Sequence, residues 1–106
     1  MNTLSMLRDN LRFLRSRRRP HPCPHVPLVR DVVPKSVGCA ECVARGDTWV
    51  HLRLCLHCGE VGCCNSSTNR HAQKHAEQCQ HPIVRSHQPG EDWMWCYMDQ
   101  RAVTQR

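Results

Sequence analysis

The chain has 106 residues, a formal net charge of +6, nine cysteines and only five aromatic side chains. So short a chain has little room for a large core, and it needs disulfides or a structural metal to stabilise it. No stretch is long and apolar enough to span a membrane, and the first residues lack the apolar block of a secretory signal. We therefore expect a cytoplasmic protein with reduced thiols, which favours metal binding over a disulfide framework.

The positive charge is concentrated in residues 1–20, which carry six arginines and one acidic residue, whereas the rest of the chain is nearly neutral. Within this basic tail, leucines recur at the three- and four-residue spacing that predicts a short amphipathic helix: Leu4, Leu7, Leu11 and Leu14. Such a helix suits docking on the domain, a dimer contact, or a membrane-surface or organelle-targeting role.

The proline-rich stretch RRRPHPCPHVP ends the predicted helix. We expect the folded domain to occupy residues 21–101 and a short C-terminal tail to occupy residues 102–106.

Two Cys-x-x-Cys knuckles, Cys39–Cys42 and Cys55–Cys58, indicate structural zinc. This spacing lets both sulfurs of a knuckle reach one ion. Gly59 follows the second knuckle, where the turn favours a positive φ. The later candidate ligands are Cys63 or Cys64, then His71, His75 and His81.

The stretch SSTNRHAQKHAEQC predicts a helix capped by Ser66 or Ser67 and running to about Gln78. His71 and His75 lie on one face of this helix, where they either share one zinc ion or each reach a different one. In a sequential scheme, the two knuckles form one four-cysteine site and the later residues form another. In an interleaved scheme, each knuckle binds its own ion together with later ligands. Spacing alone leaves both schemes open.

The order of these motifs, from GCAECVARGDTW through CLHCGEVGCC to WMWCYMD, resembles the ubiquitin-specific-protease-type zinc finger over residues 22 to 99. It is similar in particular to the small stand-alone bacterial versions of that module. The resemblance implies an α+β fold, namely a small zinc-stabilised domain with a twisted antiparallel sheet and one main helix packed across it. It also implies the interleaved scheme, with Cys39, Cys42, Cys63 and His71 at one zinc ion and Cys55, Cys58, His75 and His81 at a second.

Fuller members of that family hold a third zinc ion through a Cys-x-His near the start and a Cys-x-x-Cys near the end. The start matches Cys23-Pro-His25, and the end reads Cys96-Tyr-Met-Asp99, with aspartate in place of the last cysteine. Because a carboxylate oxygen is an acceptable zinc ligand, we expect two to three zinc ions and favour three. In the alternative, Asp99 is a solvated surface residue and the third site is weak or empty.

The sequence does not predict an enzyme, because four protein ligands at each site leave no coordination position for water and no nucleophile motif is present. In the resembling family, a pocket takes the free C-terminus of a peptide, in the best-studied members the Gly-Gly end of ubiquitin. The aromatic walls of that pocket match Trp49, Trp95 and Tyr97, whereas we expect Trp93 to pack in the core.

Asn65 stands two places after Cys63, where ubiquitin binders have an arginine that grips the peptide. Asparagine donates hydrogen bonds but carries no charge, and this loss costs about 1–3 kcal/mol of binding. Arg53 and Arg70 are candidates to compensate. We predict a protein-interaction module for a free C-terminus, ubiquitin-like in a eukaryote and of another kind in a bacterium. The alternatives are nucleic-acid binding through the arginine-rich tail and a structural adaptor.

Overall fold

The structure is a computed structural model and describes residues 23–104, so the expected helix and nucleic-acid role of residues 1–20 lie outside its described part. A 3-10 helix, two α-helices and five β-strands follow one another along the described chain. Their bounds are Val26–Leu28 for the 3-10 helix, Ala40–Arg45 for α1, Leu52–Cys55 for β1, Val61–Cys63 for β2, His71–Cys79 for α2, Ile83–Ser86 for β3, Met94–Cys96 for β4 and Arg101–Val103 for β5. None of the helices in this part is long and apolar enough to cross a membrane.

The five strands form one antiparallel sheet in the order β2-β1-β3-β4-β5. Alternation along the strands places Leu54, Val61 and Met94 on one face, and Val84 and Trp95 on the other. The sheet and the two helices confirm the predicted α+β class.

The first face of the sheet carries the main hydrophobic core, which is built of aliphatic side chains and cysteines. Its buried members are Leu52, Leu54, Leu56, Val61, Ile83, Met94 and Val103, together with Cys23, Cys39, Cys42, Cys63 and Cys96. The segment before β1 covers this face through Val26, Val29, Val32 and Trp49. Cysteines therefore occupy core positions that aromatic side chains often fill in larger domains.

The second face of the sheet is covered in part by α2, which lies against β2 and β1. Ala72 and Ala76 pack towards Val84 and Tyr97 there. A Cβ atom added at Gly62 would lie 2.7 Å from the backbone nitrogen of Ala72. The close approach of this helix to β2 therefore requires glycine.

The main helix begins later than predicted, at His71 rather than just after Ser66 or Ser67. The Ser67 hydroxyl does not cap the helix, because it accepts a hydrogen bond of 2.9 Å from the Val50 N–H. The His71 N–H donates instead to the Cys63 sulfur at 3.1 Å. The Cys63 sulfur thus accepts a hydrogen bond from one of the backbone N–H groups that a serine side chain would cap at the start of an ordinary helix.

A second, short helix α1 was not predicted from the sequence. Its signals are present: Glu41 in the first turn, Arg45 in the last, and Gly46 at the C-cap with φ 74°. The first Cys-x-x-Cys knuckle therefore indicates both a metal site and the start of a helix.

The sheet also continues beyond the predicted domain end at residue 101. Strand β5 pairs with β4 through Val103, which lies opposite Met94 and is buried. Residues 102 and 103 thus belong to the domain, although they were predicted to begin the C-terminal tail.

Candidate metal centres and aromatic pocket

Twelve Cys, His and Asp side chains gather in three groups of four, and within each group the ligand atoms lie within 4.8 Å of one another. A tetrahedral zinc ion with bonds of about 2.0–2.3 Å holds its ligand atoms roughly 3.3–3.8 Å apart, so these groups suit zinc. Site 1 contains Cys39, Cys42, Cys63 and His71; site 2 contains Cys55, Cys58, His75 and His81; site 3 contains Cys23, His25, Cys96 and Asp99. The two knuckles therefore lie in different groups, as in the interleaved scheme.

Site 1 is fully buried and joins three elements. The Nδ1 atom of His71, at the start of α2, lies 3.2 Å from the Cys39 sulfur, 3.3 Å from Cys42 and 3.6 Å from Cys63. Cys39 directly precedes α1, which contains Cys42, and Cys63 ends β2. The other ring nitrogen of His71 lies 3.1 Å from the Glu41 carboxylate. This carboxylate orients the ring and leaves Nδ1 free for the metal.

Site 2 lies one helical turn along the same face of α2. The Nε2 atom of His75 is 3.3 Å from the Cys58 sulfur and 3.4 Å from the Nδ1 atom of His81. His81 is in turn 3.6 Å from the Cys55 sulfur at the end of β1. Burial lowers the pKa of both His75 and His81. Both imidazoles therefore favour the neutral form, which is the form that binds zinc.

Site 3 connects the start of the described chain to the turn between β4 and β5. The Nδ1 atom of His25 lies 3.4 Å from the Cys96 sulfur and 3.4 Å from the Asp99 carboxylate. The Cys23 thiol donates to the same carboxylate at 2.9 Å. This hydrogen bond, aided by the charge of nearby His25, lowers the pKa of Asp99. Asp99 thus faces the cluster instead of standing alone at the surface.

Burial favours the protonated form of three of the cluster thiols, because it raises the pKa of Cys23, Cys39 and Cys55. Burial raises the pKa of Cys23 and of Cys39 to about 11. Zinc coordinates the thiolate, so metal binding at these sites releases protons and weakens as the pH falls.

Two further cysteines lie outside the three groups. The Cys64 sulfur sits 3.5 Å from the Ser67 hydroxyl, so Cys63 and not its neighbour joins site 1. Burial acts to raise the pKa of Cys64, but hydrogen bonds from Ser67 and the backbone outweigh it and lower that pKa. Cys79 is exposed, and its sulfur lies 3.6 Å from the outer ring nitrogen of His75.

A small cavity, the aromatic pocket, opens on the face of the sheet that α2 partly covers. Its volume is about 170 Å³. It is lined by Arg53, Asn65, Val84, Trp93, Trp95 and Tyr97. Trp95 and Val84 lie opposite each other on β4 and β3 and form its floor.

Among the residues that the structure describes, Arg53 is the one charged residue that lines the aromatic pocket. Its guanidinium carbon lies 4.4 Å from the centre of the Trp93 ring, and one Nη donates to the Leu52 carbonyl at 3.0 Å. This cation–π contact fixes the head of a long side chain before any ligand arrives. The described part of the pocket lining therefore holds a positioned positive charge and no carboxylate.

Tyr97 lines the pocket on the side of α2. It is only 8% exposed, and burial raises the pKa of its hydroxyl to about 12. The phenol is therefore neutral at physiological pH, and it adds no negative charge to the pocket.

The structure brings Asn65, Trp95 and Tyr97 together in this pocket, but it places Trp49 elsewhere. The Trp49 ring packs on the other face of the sheet, where a Cβ atom at Gly38 would lie 2.8 Å from it.

Trp93, which the sequence interpretation assigned to the core, is instead 41% exposed and lines the pocket. Trp93, Trp95 and Tyr97 alternate along one strand, and this period of two is the signal that could have identified Trp93.

A larger cavity of about 480 Å³ lies on the opposite face of the sheet. Its apolar floor is formed by Leu54, Leu56 and Met94. Its rim carries two arginines and two aspartates, so the charges balance: Arg30, Arg85, Asp31 and Asp92. Its lining, as far as residues 23–104 supply it, has no aromatic wall and no net charge. The aromatic pocket is therefore the better candidate site for an anionic ligand.

Comparison with known proteins agrees with this geometry. The family model zf-UBP, described as a zinc finger in ubiquitin hydrolases and other proteins, matches residues 39–106. The solution NMR structure of protein RPA1320 from Rhodopseudomonas palustris superposes with a TM-score of 0.72 and 44% sequence identity. That match covers 78% of this chain and 81% of the bacterial one. The comparison with curated protein sequences gives no match. The chain therefore belongs to the zf-UBP family of zinc-binding domains.

Proposed function

We propose that this chain is a binding module whose aromatic pocket takes the free C-terminus of a partner protein or peptide. The observation that carries the proposal is Arg53, the one charged group among the described residues of a pocket otherwise lined by aromatic, aliphatic and amide side chains. A terminal carboxylate is the anion that every polypeptide offers at its end, and guanidinium binds carboxylates with two parallel hydrogen bonds.

Asn65 complements this charge from the neighbouring loop. Its side chain lines the same pocket and is exposed, so its amide group is able to donate to a second carboxylate oxygen. The charge that ubiquitin binders of the family supply two residues after the central cysteine would thus come from β1 in this chain.

The size and walls of the pocket support a narrow ligand. A volume of about 170 Å³ is well below the range of roughly 300–1,000 Å³ that drug-sized ligands occupy. Trp93 and Trp95 offer flat surfaces to a peptide backbone. Glycine and other small residues therefore fit best at the end of the ligand.

The metal sites would hold the structure and take no part in chemistry. Each group supplies four protein ligands, so one zinc ion per site, three in all, would leave no open position for water. We accordingly propose a cytoplasmic, non-catalytic protein whose thiols stay reduced and metal-bound. The partner would be ubiquitin-like in a eukaryote, and in a bacterium another protein with small C-terminal residues.

Calorimetric titration of the zinc-loaded full chain tests this function. The probe is a short peptide that ends in Arg-Gly-Gly, used as the free acid and as its C-terminal amide. We expect the acid to bind about tenfold or more tightly than the amide, because hydrogen bonds to a charged group contribute about 1.5–3 kcal/mol. Equal affinity of the two peptides, or binding of neither, would overturn the proposal.

A further inference from the structure

A second cavity adjoins the aromatic pocket at the C-terminal end of α2. This helix-end cavity has a volume of about 260 Å³. Its lining residues are Ala76, Glu77, Gln80, Pro82, Tyr97 and Met98. Tyr97 lines both cavities, so the two are neighbours separated by one aromatic ring.

The register of the sheet sets the direction from one cavity to the other. Backbone pairing on β3 and β4 gives three successive same-face pairs: Ser86 with Trp93, Val84 with Trp95, and Pro82 with Tyr97. Arg53 lies opposite the first of these pairs, at Ser86. The aromatic pocket thus begins at Arg53, and the helix-end cavity begins at the third pair.

Successive same-face pairs are two residues apart, which is about 6.6 Å along a strand. The distance from the pair beside Arg53 to the pair at Tyr97 is therefore about 13 Å, or four residues of an extended peptide. A peptide that places its carboxylate at Arg53 and follows the strands reaches the helix-end cavity three or four residues before its C-terminus.

We propose that the helix-end cavity is a second subsite, which takes an apolar side chain located three or four residues before the C-terminus of the bound peptide. This inference rests on the proposed function, because the carboxylate at Arg53 sets the position of the peptide.

The chemistry of the lining selects that side chain. Ala76 and Pro82 are buried and contribute aliphatic carbon to the cavity wall. Met98 is an apolar side chain that is 46% exposed. A methionine of this kind adapts its shape to different apolar partners. Glu77 stands exposed at the rim and repels an acidic side chain. The subsite therefore accepts leucine, isoleucine or methionine and rejects aspartate and glutamate.

A leucine scan of a peptide tests the subsite on the unmodified, zinc-loaded full chain. The parent peptide is an eight-residue sequence of glycine and serine with a free C-terminus, and leucine replaces each position from one to six residues before the end. We expect affinity to rise about tenfold when leucine stands three or four positions before the end, since a partly buried leucine side chain contributes about that much. Aspartate at the same position should lower the affinity below that of the parent.

Two variants then locate the effect. Met98→Glu places a carboxylate in the subsite, and we expect the ratio of leucine-peptide to parent-peptide affinity to fall to near one. Val37→Glu adds the same charge at a site that is 93% exposed and lines neither cavity, and it should keep the ratio near ten.

The two hypotheses fail differently. If the parent acid binds more tightly than its amide but leucine has no preferred position, the second subsite is wrong and the carboxylate pocket stands. If acid and amide bind alike, the proposed function itself is wrong. A leucine preference that survives Met98→Glu would also refute the subsite.

Discussion

At the residue scale, Arg53 gives the aromatic pocket a positive charge. Asn65 carries no charge at the position two residues after Cys63, and the structure places a guanidinium at the pocket from the neighbouring strand. The sequence offered Arg53 and Arg70 as equal candidates, since residue spacing does not show where an arginine points. The strand register decides, because it puts Arg53 on the same face as Trp95.

Substitution of Arg53 should weaken binding of a free C-terminus. We expect Arg53→Gln to lower the affinity for the Arg-Gly-Gly acid about 10- to 100-fold, because a hydrogen-bonded charge is lost. The matched control is Arg85→Gln, an exposed arginine on the opposite face of the sheet. Calorimetry measures both affinities, and an equal loss in the two variants would show that only the overall charge matters.

Tyr97 gives a spectroscopic measure of how closed the pocket is, because it is the one tyrosine of the chain. Its pKa is raised by burial from 10.0 to about 12. Ionisation is therefore easier in the unfolded chain, so the contribution of this group to stability is complete below pH 10 and lost as the pH rises to about 12. We expect the ultraviolet absorbance of tyrosinate to titrate near 12. A midpoint near 10 in the folded protein would mean that the hydroxyl is exposed.

Substitution of Asp99 tests whether site 3 holds an ion. If each group binds one zinc ion, native mass spectrometry should find three ions on the unmodified chain and two on Asp99→Ala. Asp99→Cys restores four strong ligands and should bind three ions. Cys79→Ser is the control, since this exposed thiol belongs to none of the three groups. Three ions on Asp99→Ala would show that the carboxylate is not needed.

The two knuckles, together with the family resemblance, predicted the metal clusters better than they predicted the pocket. A Cys-x-x-Cys knuckle fixes the distance between two sulfurs locally, so the sequence itself indicates which thiols share an ion. A tryptophan carries no such local constraint. The prediction for Trp49 was the pocket and for Trp93 the core, whereas the structure has Trp49 at the core and Trp93 at the pocket. Their places depend on which face of a strand or loop meets the core.

At the scale of elements, the contact between β2 and α2 couples the sheet to sites 1 and 2. Gly62 lies directly under the backbone of Ala72, and the helix carries His71 and His75. The position of α2, and with it the positions of the ligands His71 and His75, therefore depends on glycine at position 62.

Gly62→Ala should push α2 away from the sheet. We expect a loss of about 1–3 kcal/mol in the free energy of unfolding, measured with denaturant, together with faster release of zinc to a chelator. Gly90→Ala is the control: its φ of +79° strains an alanine, but no other atom lies within 4 Å of the added carbon. The control should lower stability and leave the rate of zinc release unchanged. Equal release rates in the two variants would contradict this coupling.

The elements themselves were predicted unevenly. The amphipathic pattern with two histidines four residues apart identified the main helix, but its start shifted from Ser66 or Ser67 to His71. Serine is a common N-cap, and the competing partner, the Cys63 sulfur, comes from a different element. Local sequence patterns do not predict a hydrogen bond between residues of two different elements.

At the scale of the whole molecule, the three clusters connect segments that are far apart in the sequence. Site 1 ties the region before β1 to β2 and α2, and site 3 ties Cys23 to the turn at Asp99, 76 residues away. The family resemblance predicted the α+β class and these interleaved groups. The strand order β2-β1-β3-β4-β5 was not predicted, because it depends on pairings between distant strands.

NMR titration of the zinc-loaded chain tests whether a free C-terminus binds between Arg53, Trp93 and Trp95. The three tryptophans give three indole signals, to be assigned by single substitutions. With the Arg-Gly-Gly acid, we predict shifts of the Trp93 and Trp95 signals and no shift of Trp49, and no shifts with the amide. Shifts centred on Trp49, or equal responses to acid and amide, would show that the aromatic pocket does not recognise a free C-terminus.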